Sequence, residues 1–148
     1  MAGRRIERDD DLKALLGGTR TIAVLGMRSE AVADRPAHYV PAAAQQAGYR
    51  VFPVPVYEPD VTQMLGEPVF RTVASIGEPP DLVDVFRRPQ DLRAHQADVL
   101  AAKPRAVWLQ SGIRDEAFCE AMLAAGIDVV EDRCLMVEIR RLGTRPPR

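Results

Sequence analysis

The chain has 148 residues, of which 47% are hydrophobic and 28% are charged, which is typical of one domain with a sizeable core. Its 20 basic and 21 acidic side chains give a formal charge of -1, a balance that argues against a globally basic nucleic-acid-binding protein and against a disordered chain. No apolar run approaches roughly 20 residues, so no membrane span is expected, and the first residues contain no apolar export signal.

A short helix is predicted first, over residues 9–16, because three aspartates begin it and Gly17 follows it. Five apolar runs come next, of the kind found in strands buried on both faces of a parallel sheet. The runs are Thr21–Leu25, Arg50–Val54, Leu82–Phe86, Ala106–Leu109 and Ile127–Val130.

Segments with helical spacing separate these runs. One starts near Pro36, and Pro41 inside it is expected to remove a backbone hydrogen bond and to bend the helix. Another has Pro89 in its first turn, and a third follows Asp115, a residue suited to cap a helix. Strands that alternate with helices predict an α/β fold with a Rossmann-like open parallel sheet of about five strands and helices on both faces.

The pattern predicts a single domain over residues 1–148, with a helix and lead-in over 1–20. Residues 139–148 carry four arginines and no acid, and we expect a frayed basic tail there. The pattern is weak over residues 55–79, which leave room for one short strand and one short helix. Asp84 interrupts an apolar run, so we expect it to be hydrogen-bonded locally.

The chemically reactive side chains are few. The two cysteines, Cys119 and Cys134, argue against a disulfide scaffold and suit a reducing cytoplasm. The two histidines, His38 and His95, belong to no motif that pairs a base with a nucleophile. We therefore expect these four residues to be structural or surface groups, and we assign neither a catalytic residue nor a metal site.

Ligands of open parallel sheets bind beyond the carboxyl ends of the strands, where the strand order reverses. After the first run, Gly26 allows a tight turn, and free backbone N–H groups with Arg28 and Ser29 suit a phosphate; a simple turn is the alternative. After the third run, Arg87 and Arg88 suit bidentate phosphate contacts, and a solvated charge pair is the alternative.

An NAD(P)-dependent enzyme is disfavoured but stays an alternative. A GxGxxG loop starting at Gly26 needs glycines at positions 28 and 31, where Arg28 and Ala31 stand. Glu58 follows the second strand but gives no clear ribose-binding carboxylate, because Pro55, Val56 and Tyr57 precede it.

Short motifs in a fixed order run over about residues 20–140. They are Thr21–Gly26, Arg35–Pro36, Gly48–Val51, Asp81–Arg88, Val107–Arg114 and Asp132–Cys134. This order resembles the small bacterial CoA-binding proteins, which are stand-alone relatives of the CoA-binding domain in the succinyl-CoA synthetase alpha subunit. The resemblance implies a Rossmann-like fold that binds coenzyme A or an acyl-CoA.

The resemblance also implies a CoA site made of four segments and one further arginine. Gly26–Ser29, the loop after the first strand, would meet the CoA phosphates, and Val54–Val56, at the end of the second strand, would follow the adenosine. Phe86–Arg88 would follow the ligand on the third-strand side, and Gln110–Gly112 would approach the pantetheine. Arg28, Arg35 or Arg87 would supply charge where relatives carry a polar triplet after the second strand. In chain order the site residues are Gly26, Met27, Arg28, Ser29, Arg35, Val54, Pro55, Val56, Phe86, Arg87, Arg88, Gln110, Ser111 and Gly112.

No histidine here matches the phosphorylated histidine of the synthetase, so the resemblance implies binding without ligase chemistry. We expect a CoA-binding module with no activity of its own. A subunit whose partner supplies ligase chemistry is a further alternative, and a homo-oligomer stays open. Neither nucleic acid nor a membrane is an expected partner.

Overall fold

The computed structural model describes residues 1–148, with seven strands and five α-helices. The strands are β1 (Thr21–Leu25), β2 (Arg50–Val54), β3 (Gln63–Met64), β4 (Glu67–Pro68), β5 (Leu82–Val85), β6 (Ala106–Leu109) and β7 (Asp128–Val130). The helices are α1 (Asp9–Gly17), α2 (Pro36–Gln46), α3 (Gln96–Ala102), α4 (Glu116–Ala124) and α5 (Leu135–Leu142). Turns of 3-10 helix cover Glu30–Val32, Ala74–Ile76 and Pro89–His95.

Five strands form one parallel sheet in the order β2-β1-β5-β6-β7. The chain passes from β1 outwards to β2 and then returns to the other side of β1 with β5. The strand order therefore reverses between β1 and β5, which makes the carboxyl ends of these two strands the expected ligand crevice. The five predicted strands are confirmed, and only Phe86 and Ile127 fall outside the observed bounds.

Helices cover both faces of this sheet, as predicted. On one face, Leu12 and Leu16 of α1, Val40 and Ala44 of α2, and Leu135 and Ile139 of α5 join a buried apolar cluster with the strands. On the other face, the second cluster takes its helical residues from α3 and α4. Each strand of this sheet contributes residues to both clusters, because successive side chains along a strand point to opposite faces of the sheet. None of the helices combines the length and the apolar character that crossing a bilayer requires.

Three local predictions are corrected by the structure. The expected frayed tail is wrong for residues 139–142, which belong to α5, and Ile139 is buried in the core. The segment after β2 contains two short strands, β3 and β4, paired as an antiparallel hairpin, rather than one strand. The predicted helix from Pro89 begins as a 3-10 turn and becomes α-helical at Gln96.

The structure contradicts the expectation that the Asp84 side chain is hydrogen-bonded locally. Its side chain is fully buried on β5, and neither carboxyl oxygen has a hydrogen-bond partner. Its register neighbours are Val24 on β1 and Trp108 on β6, both in the apolar cluster that α1, α2 and α5 cover. This desolvation raises the pKa of Asp84 well above its usual value, so the folded state holds a neutral carboxyl group.

We predict that the stability of Asp84→Asn relative to the wild type rises by at least about 1 kcal/mol between pH 4 and pH 8. The unfolded chain loses the Asp84 proton above a pKa of 3.8, while the folded chain keeps it. The free energy of unfolding of the wild type therefore falls as the pH rises from 3.8 towards the raised pKa of folded Asp84. The asparagine variant does not lose this free energy, because its side chain does not titrate. Urea unfolding of both proteins between pH 4 and pH 8 measures the difference. A stability difference that stays constant over this range would contradict a neutral Asp84.

Candidate functional site

A cavity of about 590 Å³ opens where the loops after β1, β5 and β6 meet the start of α2. This is the crevice at which the strand order reverses. Four arginines line the cavity and no acidic side chain does; the arginines are Arg28, Arg35, Arg87 and Arg88. We call this space the switch-point cavity.

Nine of the residues predicted for the site line the switch-point cavity, namely Gly26, Arg28, Arg35, Phe86, Arg87, Arg88, Gln110, Ser111 and Gly112. The structure places the other five, Met27, Ser29, Val54, Pro55 and Val56, outside its wall. Met27 and Val54 are fully buried in the core, and Ser29 is almost fully buried.

Gly26 brings the loops after β1 and β5 into direct contact. Its φ of 87° lies in the left-handed region that favours glycine. A Cβ at this position would also collide with the carbonyl oxygen of Phe86. Any other residue would push the two loops apart, so Gly26 sets how closely they approach at the wall of the switch-point cavity.

Pro41 fixes the position of Arg28. A proline has no N–H, so the carbonyl group of Ala37, four residues earlier in α2, has no donor in its own helix. The N–H of Arg28 donates to this carbonyl oxygen at 3.1 Å. The other side of the same residue is also held, because His38 Nδ1 lies 3.1 Å from the Arg28 carbonyl oxygen. The loop after β1 is thereby attached to α2 at both backbone groups of Arg28.

The expectation of free N–H groups in the loop after β1 is wrong for three of the four residues. The N–H of Gly26 donates to the carbonyl oxygen of Val54, and that of Arg28 to Ala37. The N–H of Ser29 donates to Glu58 Oε1 at 3.0 Å. A phosphate would therefore have to compete with these internal acceptors, and the guanidinium groups are the better candidates for anion contacts.

Glu58 places a carboxylate against this loop. Arg28 Nε donates to Glu58 Oε1 at 2.8 Å, and the Ser29 hydroxyl donates to Oε2. These donors lower the pKa of Glu58 to about 2, with the Ser29 hydrogen bond as the largest cause. Arg71 holds the loop that carries Glu58, because its guanidinium donates to the carbonyl oxygens of Glu58, Pro59 and Val61.

Tyr57 lies close to two of the cavity arginines and was missed as a site residue. The guanidinium carbons of Arg28 and Arg87 lie 5.4 and 5.5 Å from its ring centroid, and Arg87 Nη1 donates to its hydroxyl at 3.2 Å. Its side chain is nevertheless 52% exposed on the cavity wall. An aromatic residue three positions after the end of β2 was the available sequence signal.

The remaining arginines differ in how they are held. Arg87 Nε donates to His95 Nε2 at 3.1 Å, and its guanidinium lies 3.7 Å from Asp91. Burial and the nearby Arg87 charge lower the pKa of His95, which keeps the imidazole neutral as an acceptor. Arg88 also pairs with Asp91, at 3.0 Å, but stays mostly exposed. Arg35 has no side-chain hydrogen bond or ion pair, so it offers an unpaired charge to a ligand.

The loop after β6 forms the opposite end of the cavity. Gln110 Oε1 accepts a hydrogen bond from the N–H of Leu135, the first residue of α5, at 3.0 Å. The N–H of Gly112 donates to Asp132 Oδ1 at 2.6 Å. Cys134, a partly buried free thiol just before α5, also lines the cavity. No group of three or more His, Cys, Asp or Glu side chains is arranged to hold a metal ion.

We predict that Glu58→Gln lowers the free energy of unfolding at pH 7 by about 1–2 kcal/mol, the range for a partly exposed ion pair with hydrogen bonds. Because folding lowers the Glu58 pKa from 4.5 to about 2, its stabilisation is present above pH 4.5 and is lost as the pH falls towards 2. Urea unfolding at pH 7 and pH 3 measures the effect. Glu78→Gln, which changes an exposed glutamate without a partner, is the control. Equal losses in both variants would contradict the role of Glu58.

Known proteins share this fold. The chain is 31% identical over 127 residues to the uncharacterized protein YneT of Bacillus subtilis. The aligned region covers 86% of this chain and 90% of that protein. The cell-free ID.343 protein of Thermus thermophilus is 46% identical, with a TM-score of 0.84, covering 92% of this chain and 99% of that one. A hypothetical protein from Pyrococcus horikoshii is 26% identical, with a TM-score of 0.82 and coverages of 96% and 98%. The model of a CoA binding domain matches residues 20–140, and the chain belongs to this CoA-binding domain family.

Proposed function

We propose that the chain binds coenzyme A or an acyl-CoA in the switch-point cavity and acts as a binding module without chemistry of its own. The observation that carries this proposal is the lining of that cavity, which contains four arginines and no acidic side chain. CoA carries a diphosphate and a 3'-phosphate, and guanidinium groups match phosphate oxygens in charge and in bidentate geometry.

The phosphates would bind mainly to Arg35 and Arg88. Arg28 and Arg87 are less free to do so, because Glu58 engages the guanidinium of Arg28, and His95 and Tyr57 engage that of Arg87. Arg35 has no internal partner, and the Arg88 side chain is 71% exposed although it pairs with Asp91. These two guanidinium groups can turn towards a ligand with the smallest loss of existing contacts.

The adenine would stack on Tyr57, whose ring is exposed beside Arg28 and Arg87. The ring's attachment to Arg87 through its hydroxyl keeps it in place before the ligand arrives, so little side-chain entropy is lost on stacking. The pantetheine would then run towards Gln110, Ser111 and Gly112 at the other end of the cavity.

The residues near Gln110, Ser111 and Gly112 support a binding role without catalytic chemistry. Ser111 and Cys134 face the cavity, but its lining includes no histidine that would serve as their base. The Gln110 side chain is also held in place, because it accepts a hydrogen bond from the N–H of Leu135 at the start of α5.

Calorimetric titration tests the proposal directly. We expect CoA to bind at sub-millimolar concentration, dephospho-CoA to bind more weakly because it lacks one phosphate, and NADH to give no heat. Binding of NADH without binding of CoA would replace the proposal with a dinucleotide-binding function.

We predict that Arg35→Ala and Arg88→Ala each weaken CoA binding by about 1.5–3 kcal/mol, or roughly tenfold to a hundredfold, the scale of a hydrogen bond to a charged group. Arg93→Ala is the matched control, since Arg93 is exposed but lies outside the cavity lining. The loss will be smaller with dephospho-CoA for whichever arginine holds the 3'-phosphate. Unchanged affinity in both variants would assign these arginines to the solvated surface.

We predict that Tyr57→Leu weakens CoA binding by about 1–3 kcal/mol, the range for a base stacked on an aromatic ring. Tyr57→Phe keeps the ring and should retain most of the affinity. Phosphopantetheine, which lacks the adenine, serves as the control ligand and should bind both variants as it binds the wild type. Equal losses for CoA and phosphopantetheine would show that Tyr57 acts on the arginines and not on the base.

A further inference from the structure

A second cavity, of about 560 Å³, adjoins the switch-point cavity. It lies between the lead-in to α1, the loops after β6 and β7, and α5. The two cavities share two lining residues, Ser111 and Cys134. We propose that this second cavity receives the acyl group of a CoA thioester and that it selects short, uncharged acyl groups. The inference rests on the proposed function, because it needs the pantetheine to end near Ser111.

Ser111 and Cys134 form the boundary between the two cavities. Ser111 is exposed and has a small side chain, and Cys134 is partly buried beside it. The sulfur of a CoA thioester that follows Gln110–Gly112 would come to this boundary. Its acyl group would then continue past Ser111 and Cys134 into the second cavity.

The apolar part of the second cavity is small. Ile6 and Val129 are buried in its floor, and Val137 of α5 is half exposed at its side. Most of the other lining side chains are charged or polar. A short acyl chain finds apolar contacts here, whereas a long alkyl chain would have to cover charged groups and remove their water without giving them a new partner.

Every arginine of the second cavity already has a carboxylate partner. Arg5 contacts Glu131 and Glu116, Arg114 lies 3.3 Å from Asp132, and Arg133 lies 2.9 Å from Glu138.

Glu7, by contrast, has no ion pair, so the lining has one acid more than it has arginines. The acids are Glu7, Glu131, Asp132 and Glu138. An acyl group ending in a carboxylate would meet this excess of negative charge without a free cation to bind.

The test is calorimetric titration of the full chain with CoA, butyryl-CoA, octanoyl-CoA and succinyl-CoA. We expect butyryl-CoA to bind at least as tightly as CoA, and octanoyl-CoA and succinyl-CoA to bind at least about tenfold more weakly than butyryl-CoA. Equal affinity for the three thioesters, or tighter binding of octanoyl-CoA or succinyl-CoA, overturns the inference.

Two variants assign the selectivity to the second cavity. Val137→Trp fills it and should weaken butyryl-CoA about tenfold while leaving CoA unchanged. Arg140→Trp is the control on α5, because Arg140 is exposed and lines neither cavity. Glu7→Lys reverses the charge excess and should improve succinyl-CoA binding relative to CoA.

The outcomes separate this inference from the proposed function. If CoA binds but neither Val137→Trp nor Glu7→Lys changes the ratio of thioester to CoA affinity, the acyl group lies elsewhere and the inference fails alone. If neither CoA nor any thioester binds, the proposed function fails and the inference fails with it.

Discussion

A backbone hydrogen bond that α2 lacks determines where the loop after β1 lies. Pro41 provides no N–H, so the Ala37 carbonyl accepts from Arg28 instead of from its own helix. An unpaired carbonyl in this position would be unfavourable, and so would an unpaired N–H in the loop. Each group satisfies the other. His38 holds the carbonyl side of Arg28 in the same way, so the guanidinium starts from a fixed backbone.

The arginines around the switch-point cavity depend on partners that stand outside its wall. Glu58 neutralises Arg28, and Asp91 lies near both Arg87 and Arg88. Four cations close together repel one another, and these two carboxylates reduce that repulsion. They leave Arg35 without a partner and Arg88 mostly exposed. The cavity is therefore cationic towards a ligand while the folded chain avoids most of the cost of gathering the charges.

The strands were predictable because a parallel sheet covered on both faces requires continuous apolar runs, and Thr21–Leu25 and Ala106–Leu109 are such runs. Helix α5 was not predictable, because its arginines and the prolines after it are typical of an exposed chain terminus. The helix is held by partners distant in sequence: Arg141 pairs with Asp9 of α1, and Ile139 is buried in the core. Asp84 was misjudged for a related reason, since a polar residue in a strand carries no local sign that its neighbours are Val24 and Trp108.

The sequence by itself determined the five strands of the sheet, the first four helices, the family resemblance and most of the segments that line the cavity. These follow from local patterns, in which apolar runs, prolines, glycines and short motifs act on their immediate neighbours. Only the tertiary structure decided which groups are free to bind a ligand. Ser29 is a reasonable phosphate contact until Glu58, 29 residues later, is seen to occupy its N–H and hydroxyl. Tyr57 becomes a candidate site residue only when the fold brings Arg28 and Arg87 close to its ring. Hydrogen bonds and charge pairs between distant segments depend on the folded distance between them, which no local pattern of residues contains.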